Sequence, residues 1–317
     1  MYRLKIFYTS LISVVWASAL LAQAATTNTP ISKDLLQQAV HFLSLDSLQG
    51  RLTGSKGIDY AANFIARRFD SLGLKTINGI DGYFDHFTAN YNREKIPAKN
   101  VVGAIPGNFT NDTVVIFSAH YDHIGTGNAL PYNKEFTSKD DIFNGANDNA
   151  TGVAALLELA RYYQSQKNNR YQLLFIAFSG EEMEMLGSNH FMEKRNAKTI
   201  KAVINLEMLG RPAKDNCFII SFRNNSVKKL LNNALRDQIG EDRKPFFRDD
   251  PYPEEELSRR SDHYPFALKI KNGFTIMATS PEDIYYHSIK DEYQTIDFDF
   301  LVKATNMIAL ACEQFIR

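Results

Sequence analysis

Several short apolar runs in this chain end on side chains able to bind a metal, and that regularity restricts the folds open to it. V-V-I-F-S-A runs into His120 and Asp122, L-L-F-I-A-F-S-G into Glu181 and Glu182, and K-A-V-I-N-L ends on Glu207. G-F-T-I-M-A-T-S is followed after a short loop by His287, and Asp148 opens a helical stretch in G-A-N-D-N-A-T-G. Open α/β sheets deliver functional groups to one shared edge, outside the carboxyl ends of their strands. Two imidazoles and several carboxylates meeting there would suit a hard or borderline divalent metal, zinc first.

Strand and helix alternate through the centre of the chain, with strands at 113–119, 171–178 and 201–206 and helices at 149–165 and near 186–195. That alternation predicts a largely parallel sheet with helices on both faces. Upstream, Leu35, Leu36, Ala39, Val40, Leu43 and Leu48 recur at helical spacing over 31–48, with Ser32 as N-cap. A second helix over about 57–72 carries Ala61, Ala62, Ile65 and Phe69 on one stripe and stops at Gly73. Strands at 83–91 and 100–105 follow, then Pro106-Gly107 as a turn. A strand near 217–222, a helix at 226–239, a strand at 273–279 and a helix at about 298–315 complete the pattern. With no repeat and no Gly/Ser linker, the expectation is one α/β domain over 25–317 around a mixed, mostly parallel central β-sheet. The stretches 123–147 and 241–262 read as functional loops, because structureless segments of that length are uncommon in compact domains.

Lysine plus arginine and aspartate plus glutamate number 36 each, so the formal net charge is zero. That balance gives no support to a nucleic-acid partner or a polybasic membrane surface. Cys217 and Cys312 match neither a disulfide framework nor a cysteine-based zinc knuckle, and are either a pair in an oxidising compartment or two buried thiols. At the N-terminus Arg3 and Lys5 precede an apolar run over 6–21, and Ala22-Gln23-Ala24 has the small-x-small form of a cleavage site. Tyr8, Thr9, Ser10 and Ser13 interrupt the run, which favours a cleaved signal peptide over 1–24 rather than an anchor. The expected mature protein is exported, periplasmic or extracellular, with no membrane span after cleavage.

Each motif has an ordinary reading beside the chemical one. His120 and Asp122 share one face of a strand, so the carboxylate can orient the ring or simply form a surface pair. His123 reads as a loop residue rather than a ligand. Asp148 can cap a helix, though a carboxylate has lone pairs enough to bridge two metals. Glu158 reads as a structural partner of Arg161 or of nearby backbone. Of the adjacent Glu181 and Glu182, one can ligate while the other serves as general base; Glu184 reads as a solvated turn charge. Glu207 closes an apolar strand, where a carboxylate needs a metal or a fixed counter-ion.

The series H-Y-D, N-G-A-N-D-N-A-T-G-V-A, F-S-G-E-E, I-N-L-E-M-L-G-R, R-S-D-H-Y-P-F-A and Y-Y-H-S-I-K-D-E-Y-Q-T-I-D occurs here in that order. It resembles the co-catalytic di-zinc aminopeptidases of metallopeptidase family twenty-eight, a family that includes glutamate carboxypeptidases and is related to glutaminyl cyclases. The likeness runs from about Leu48, through L-Q-G-R-L-T-G-S-K-G, to the C-terminus. It implies the zinc exopeptidase fold and two zinc ions. His120 and Glu207 would hold one, Glu182 and His287 the other, and Asp148 would bridge them. It further implies Glu181 as general base, Tyr286 as oxyanion partner, Asp122 as the holder of the His120 ring, and a non-proline cis peptide at Asp148-Asn149. Ser261, Asp262 and His263 match a family segment beside the site, on the substrate side or behind the ligands. One departure is Glu207, where aspartate is more usual; the extra methylene lowers the expected occupancy of the His120-side zinc. The implied substrates are peptides with a free N-terminus. A glutaminyl cyclase with a single zinc, or a carboxypeptidase or dipeptidase using Arg211 or Arg260, is the competing reading, and a non-enzymatic ectodomain the remaining one.

Overall fold

The computed structural model describes residues 30–109, 111–127, 140–223, 226–240 and 244–317. The signal-like segment over 1–24, the boundary near residue 25 and much of the 123–147 loop fall outside the described residues.

The first helix, α1 (Lys33–Leu43), starts where the Ser32 hydroxyl accepts from the Leu35 N–H at 3.3 Å. It is shorter than the expected 31–48: the backbone leaves the helix at Ser44, whose hydroxyl bonds back to the Val40 carbonyl at 2.8 Å. Leu48 is buried instead from a 3-10 stretch, Asp46–Arg51. Helix α2 (Lys56–Ser71) is capped by Ser55. It stops at Gly73, whose φ of 72° suits glycine, and the Leu74 N–H closes on the Phe69 carbonyl.

Eight strands form one sheet: β1 (Phe84–Tyr91), β2 (Glu94–Ile105), β3 (Val114–His120), β4 (Gln172–Phe178), β5 (Ile200–Glu207), β6 (Cys217–Ser221), β7 (Phe247–Asp249) and β8 (Gly273–Met277). Their order is β1-β2-β4-β3-β5-β8-β6-β7. The four central strands β4, β3, β5 and β8 are parallel, whereas the β1–β2 hairpin and β6 join antiparallel, so the sheet is mixed as expected. Strand β7 was not expected: 241–262 reads as irregular, but Phe247 supplies a fully buried anchor beside Cys217.

Side chains alternate between two cores, one on each face. Phe117 and Phe175 join the larger cluster under α2, α3 (Thr151–Gln166) and α7 (Phe298–Ile316). Ile116, Ile176 and Phe178 face a smaller one with Phe191 of α4 (Leu186–Glu193) and Phe266 of α6 (Tyr264–Ala267). Helix α3 packs against α1, α7 and the sheet and is buried along nearly all its length. Its one acidic residue, Glu158, accepts from Arg161 at 2.7 Å and from the Ser32 N–H at 2.8 Å, the structural role expected of it. Helix α5 (Val227–Ile239) packs against α7 and the β6–β7 edge. Cys217 and Cys312 are buried free thiols, which decides between the two readings. Among the described residues no helix is long and apolar enough to cross a membrane.

Candidate metal centre

Parallel pairing fixes the direction in which the central strands end. In the β3–β4 ladder His120 stands beside Phe178, and in the β5–β8 ladder Glu207 stands beside Met277. His120, Glu181, Glu182 and Glu207 therefore leave the sheet at one edge. Asp148 joins them from the tight turn Ala146–Ala150 that leads into α3, and His287 from the loop after β8. The peptide between Asp148 and Asn149 is cis, as the resemblance implied.

Asp148 sits at the middle. Its Oδ1 is 3.3 Å from His120 Nε2 and its Oδ2 is 3.4 Å from His287 Nε2. Glu182 Oε2 is 3.1 Å from His287 Nε2, and Glu182 Oε1 is 2.8 Å from His123 Nδ1. His123, read from the sequence as a loop residue rather than a ligand, thus lies inside the centre, fully buried. Two sets of donors each gather within 4.8 Å, namely His123, Asp148, Glu182 and His287, and His120, Glu181 and Glu182. Glu207 lines the same pocket but falls outside both sets, and its carboxylate accepts the Ser261 hydroxyl.

The donors fit a borderline divalent ion. Imidazole nitrogens and carboxylate oxygens are zinc's usual ligands besides thiolate. His120 Nε2 is buried, aimed at this centre, and has no hydrogen-bond partner among the described residues.

Groups behind the donors hold them in place. The Asp122 carboxylate, expected to hold the His120 ring, pairs with its Nδ1 at 3.7 Å. The Asp122 backbone carbonyl is nearer, at 3.3 Å. The carboxylate also accepts from the Glu181 and Glu182 N–H groups at 3.2 and 3.3 Å, tying the two glutamates to the end of β3. Asp291 accepts from the Asn147 and Asp148 N–H groups at 2.9 and 3.0 Å and is itself held by Arg211 at 2.6 Å. Arg211 also binds Asp283, so its guanidinium is committed and not available to a substrate carboxylate. Arg51, fully buried, donates to the carbonyls of Leu43, Tyr121, Asn144 and Gly145. Asn147 Oδ1 accepts from the Gly210 N–H at 2.7 Å and Asn149 Oδ1 from the Met208 N–H at 3.1 Å, clamping the residues after β5 to the start of α3. Asp291 and Arg51 sit inside motifs quoted above; only their buried acceptor and donor capacity marks them, and that needs coordinates.

Electrostatics divide the carboxyls into two kinds. Burial raises the Asp148 carboxyl, but its contacts with His120 and His287 outweigh this and hold it well below the usual range. Glu182 is likewise raised by burial and by Asp148, yet His123 and His287 bring it down to about 2. Burial pushes Glu181 well above its ordinary value against the pull of His120, with Glu207, Glu182 and Asp262 adding to the rise. Burial also lifts Glu207 and Asp262 to about 7, each opposed by His120. On the imidazole side, burial lowers His287, but Asp148 and Glu182 carry it up to about 10. So many buried carboxyls in one place are costly without cations, and a divalent ion would supply that charge.

Tyr286 stacks on His287, ring centroids 3.9 Å apart, and lines the pocket beside Asp148 and Glu181. Asp262 is fully buried behind the pocket. The neighbouring His263 Nδ1 lies 2.8 Å from the Thr275 hydroxyl, on the same buried polar chain as Asn205 and Ser261. The pocket wall is otherwise apolar, from Met208, Ile220, Leu257 and Met277, with the half-exposed Arg260 at its rim.

The sequence model described as Peptidase family M28 matches residues 100–312. Aminopeptidase YwaD of Bacillus subtilis is 24% identical over 233 residues, 69% of this chain and 45% of that protein. The match thus spans less than half the length of this curated relative. A zinc aminopeptidase from Bacillus subtilis superposes with a TM-score of 0.68 at 16% identity, covering 91% of this chain and 96% of the other. A glutaminyl cyclase from Porphyromonas gingivalis gives 0.68 at 17% identity, covering 90% and 97%. At such identities these two superpositions establish a common fold.

Proposed function

The chain belongs to peptidase family M28, and on that premise we propose that it is an exported, zinc-dependent exopeptidase that removes N-terminal residues from peptides. One observation carries the proposal. The Asp148 carboxylate lies between His120 Nε2 and His287 Nε2, at 3.3 and 3.4 Å, with the partly buried Glu181 beside them. His120 and Glu207 on one flank, Glu182 and His287 on the other, and Asp148 between would hold the ions. Zinc bound there supplies Lewis acidity and brings the pKa of a bound water to about 7.

The remaining work falls to the chain's own groups. Glu181 accepts the proton of the attacking water and returns it to the departing amine, a task suited to a carboxyl whose affinity for protons is raised by burial. The Tyr286 hydroxyl is a fixed donor for the tetrahedral oxyanion. The acidic wall of Glu181, Glu182 and Glu207 attracts a free α-ammonium, which favours cleavage at the N-terminus. Met208, Ile220, Leu257 and Met277 would receive an apolar first side chain.

A cyclase reading needs one ion, and donors on both flanks of Asp148 favour two. A carboxypeptidase needs a free basic group, and of the two arginines considered only Arg260 remains. The test is purified protein with leucyl, methionyl and glutamyl chromogenic amides and an N-terminal glutaminyl peptide, with and without chelator. Chelator-sensitive release of the chromophore, fastest from the apolar residues, is expected. Ring closure of the glutaminyl peptide without amide cleavage would replace the peptidase reading. Export is checked by N-terminal sequencing of the secreted material, expected to begin near residue 25.

A further inference from the structure

We propose that His123 is a metal ligand, binding through Nδ1 and completing a four-ligand zinc site with Asp148, Glu182 and His287. The assignment rests on the metal-dependent reading above and adds a residue to it. Zinc holds nitrogen and oxygen ligands at about 2.0–2.2 Å, so tetrahedral ligands stand roughly 3.4 Å apart. His123 Nδ1 is 2.8 Å from Glu182 Oε1 and 3.8 Å from Asp148 Oδ2, and His287 Nε2 is 3.1 Å from Glu182 Oε2 and 3.4 Å from Asp148 Oδ2. These separations lie around the tetrahedral edge, with His123 on one Glu182 oxygen and His287 on the other, and one donor atom from each of the four residues lies within 4.8 Å of the rest. The two imidazoles meet edge to face, centroids 5.5 Å apart, so that both present nitrogens to the same carboxylates.

The seat of the ring is specific. His123 is fully buried, and its remote Nε2 has no hydrogen-bond partner among the described residues, so its polar contacts all run through Nδ1. A buried imidazole costs stability unless its polar atoms are used. Gly145, at φ 57°, makes room for it: a Cβ there would come within 2.6 Å of the ring. Four protein ligands fill zinc's common coordination number, so the open position falls on the His120 flank, beside Glu181.

The alternative role for His123 is a hydrogen-bond donor that merely orients Glu182. Asparagine separates the two, because its amide can donate from nearly the same place as Nδ1–H but offers no imidazole nitrogen. The probe is cobalt(II), titrated into metal-free wild type, His123→Asn, His123→Ala and His287→Ala, followed by visible absorption and by competition with a chelator. Circular dichroism checks that each variant is folded. Loss of an outer partner typically weakens metal binding about 10–100-fold. The expected result is more than about 100-fold weakening and an altered cobalt spectrum in both His123 variants, matching His287→Ala. Wild-type affinity and spectrum in His123→Asn, with His287→Ala impaired, would overturn the assignment while leaving the metal centre standing. Failure of the wild type to bind cobalt at all would overturn both.

Discussion

The side chains of the centre arrive by two routes. His120, Glu181, Glu182 and Glu207 end strands or follow within four residues, and ladder hydrogen bonds set their positions. Asp148 and His287 come on longer loops, and for the Asp148 turn buried polar side chains do what the ladder does for the others. Asp291 and Arg211 bracket the Asp148 turn, Asn147 and Asn149 clamp it to the chain after β5, and Arg51 ties it to the end of α1. Strand-borne groups start from a well-packed sheet and add single anchors, Asp122 for the two glutamates and Ser261 for Glu207. Loop-borne groups need a second set of residues that takes no part in chemistry, and each of those becomes a point of failure.

Substitutions on the two routes should fail differently. The largest effect is expected from Glu181→Gln, which keeps shape and removes the proton acceptor. Turnover of a chromogenic amide should fall about 10²–10⁴-fold, with zinc content and thermal midpoint unchanged. A variant of near wild-type activity would remove Glu181 from the reaction. Asp291→Ala strikes the loop route without touching the pocket. It leaves two buried N–H groups unpaired and Arg211 without its inner partner, so the Asp148 turn loosens. Zinc affinity should fall about 10–100-fold, as for other partners one step behind a ligand, and excess zinc should restore turnover. Should Asp291→Ala hold zinc as tightly as wild type, the idea of a bracket fails and the two routes are alike.

The same division explains what could be read from the sequence. Apolar runs ending on His120, Glu182 and Glu207 carry their meaning in order and period, and the parallel sheet follows from the alternation of elements. Asp148 and His287 were found only through their company of neighbouring motifs. His123 escaped because a histidine one step beyond H-Y-D has no periodicity to set its direction; the turn around Gly145 does that. Asp122 was assigned to the His120 ring, and the fold adds a second task for its carboxylate, accepting from the Glu181 and Glu182 N–H groups, a contact between chain segments that spacing cannot express. Strand β7 was missed for a related reason: three residues are too few for alternation to register.

The smallest effect, and the one that sharpens the comparison most, concerns protons on the loop-borne flank. In the metal-free protein Asp148 and Glu182 carry His287 up to about 10 and Glu182 is brought down to about 2, so both are charged at neutral pH. His287 is raised, so its contribution to stability is full below about 6.5 and is lost as pH rises through about 10. Glu182 is depressed, so its contribution is present above about 4.5 and is lost as pH falls through about 2. The metal-free fold should therefore lose thermal stability between pH 7 and 10, where zinc binding, which must expel the imidazolium proton, grows stronger by up to about tenfold per pH unit per proton released. The zinc-loaded protein, with no such proton to lose, should show no decline over that range. Calorimetric titration of zinc at pH 7 in buffers of different ionisation enthalpy counts the protons directly. A count of zero would mean that His287 is neutral before the metal arrives, and the loop-borne flank would then owe its position to its brackets alone, without the ion pair.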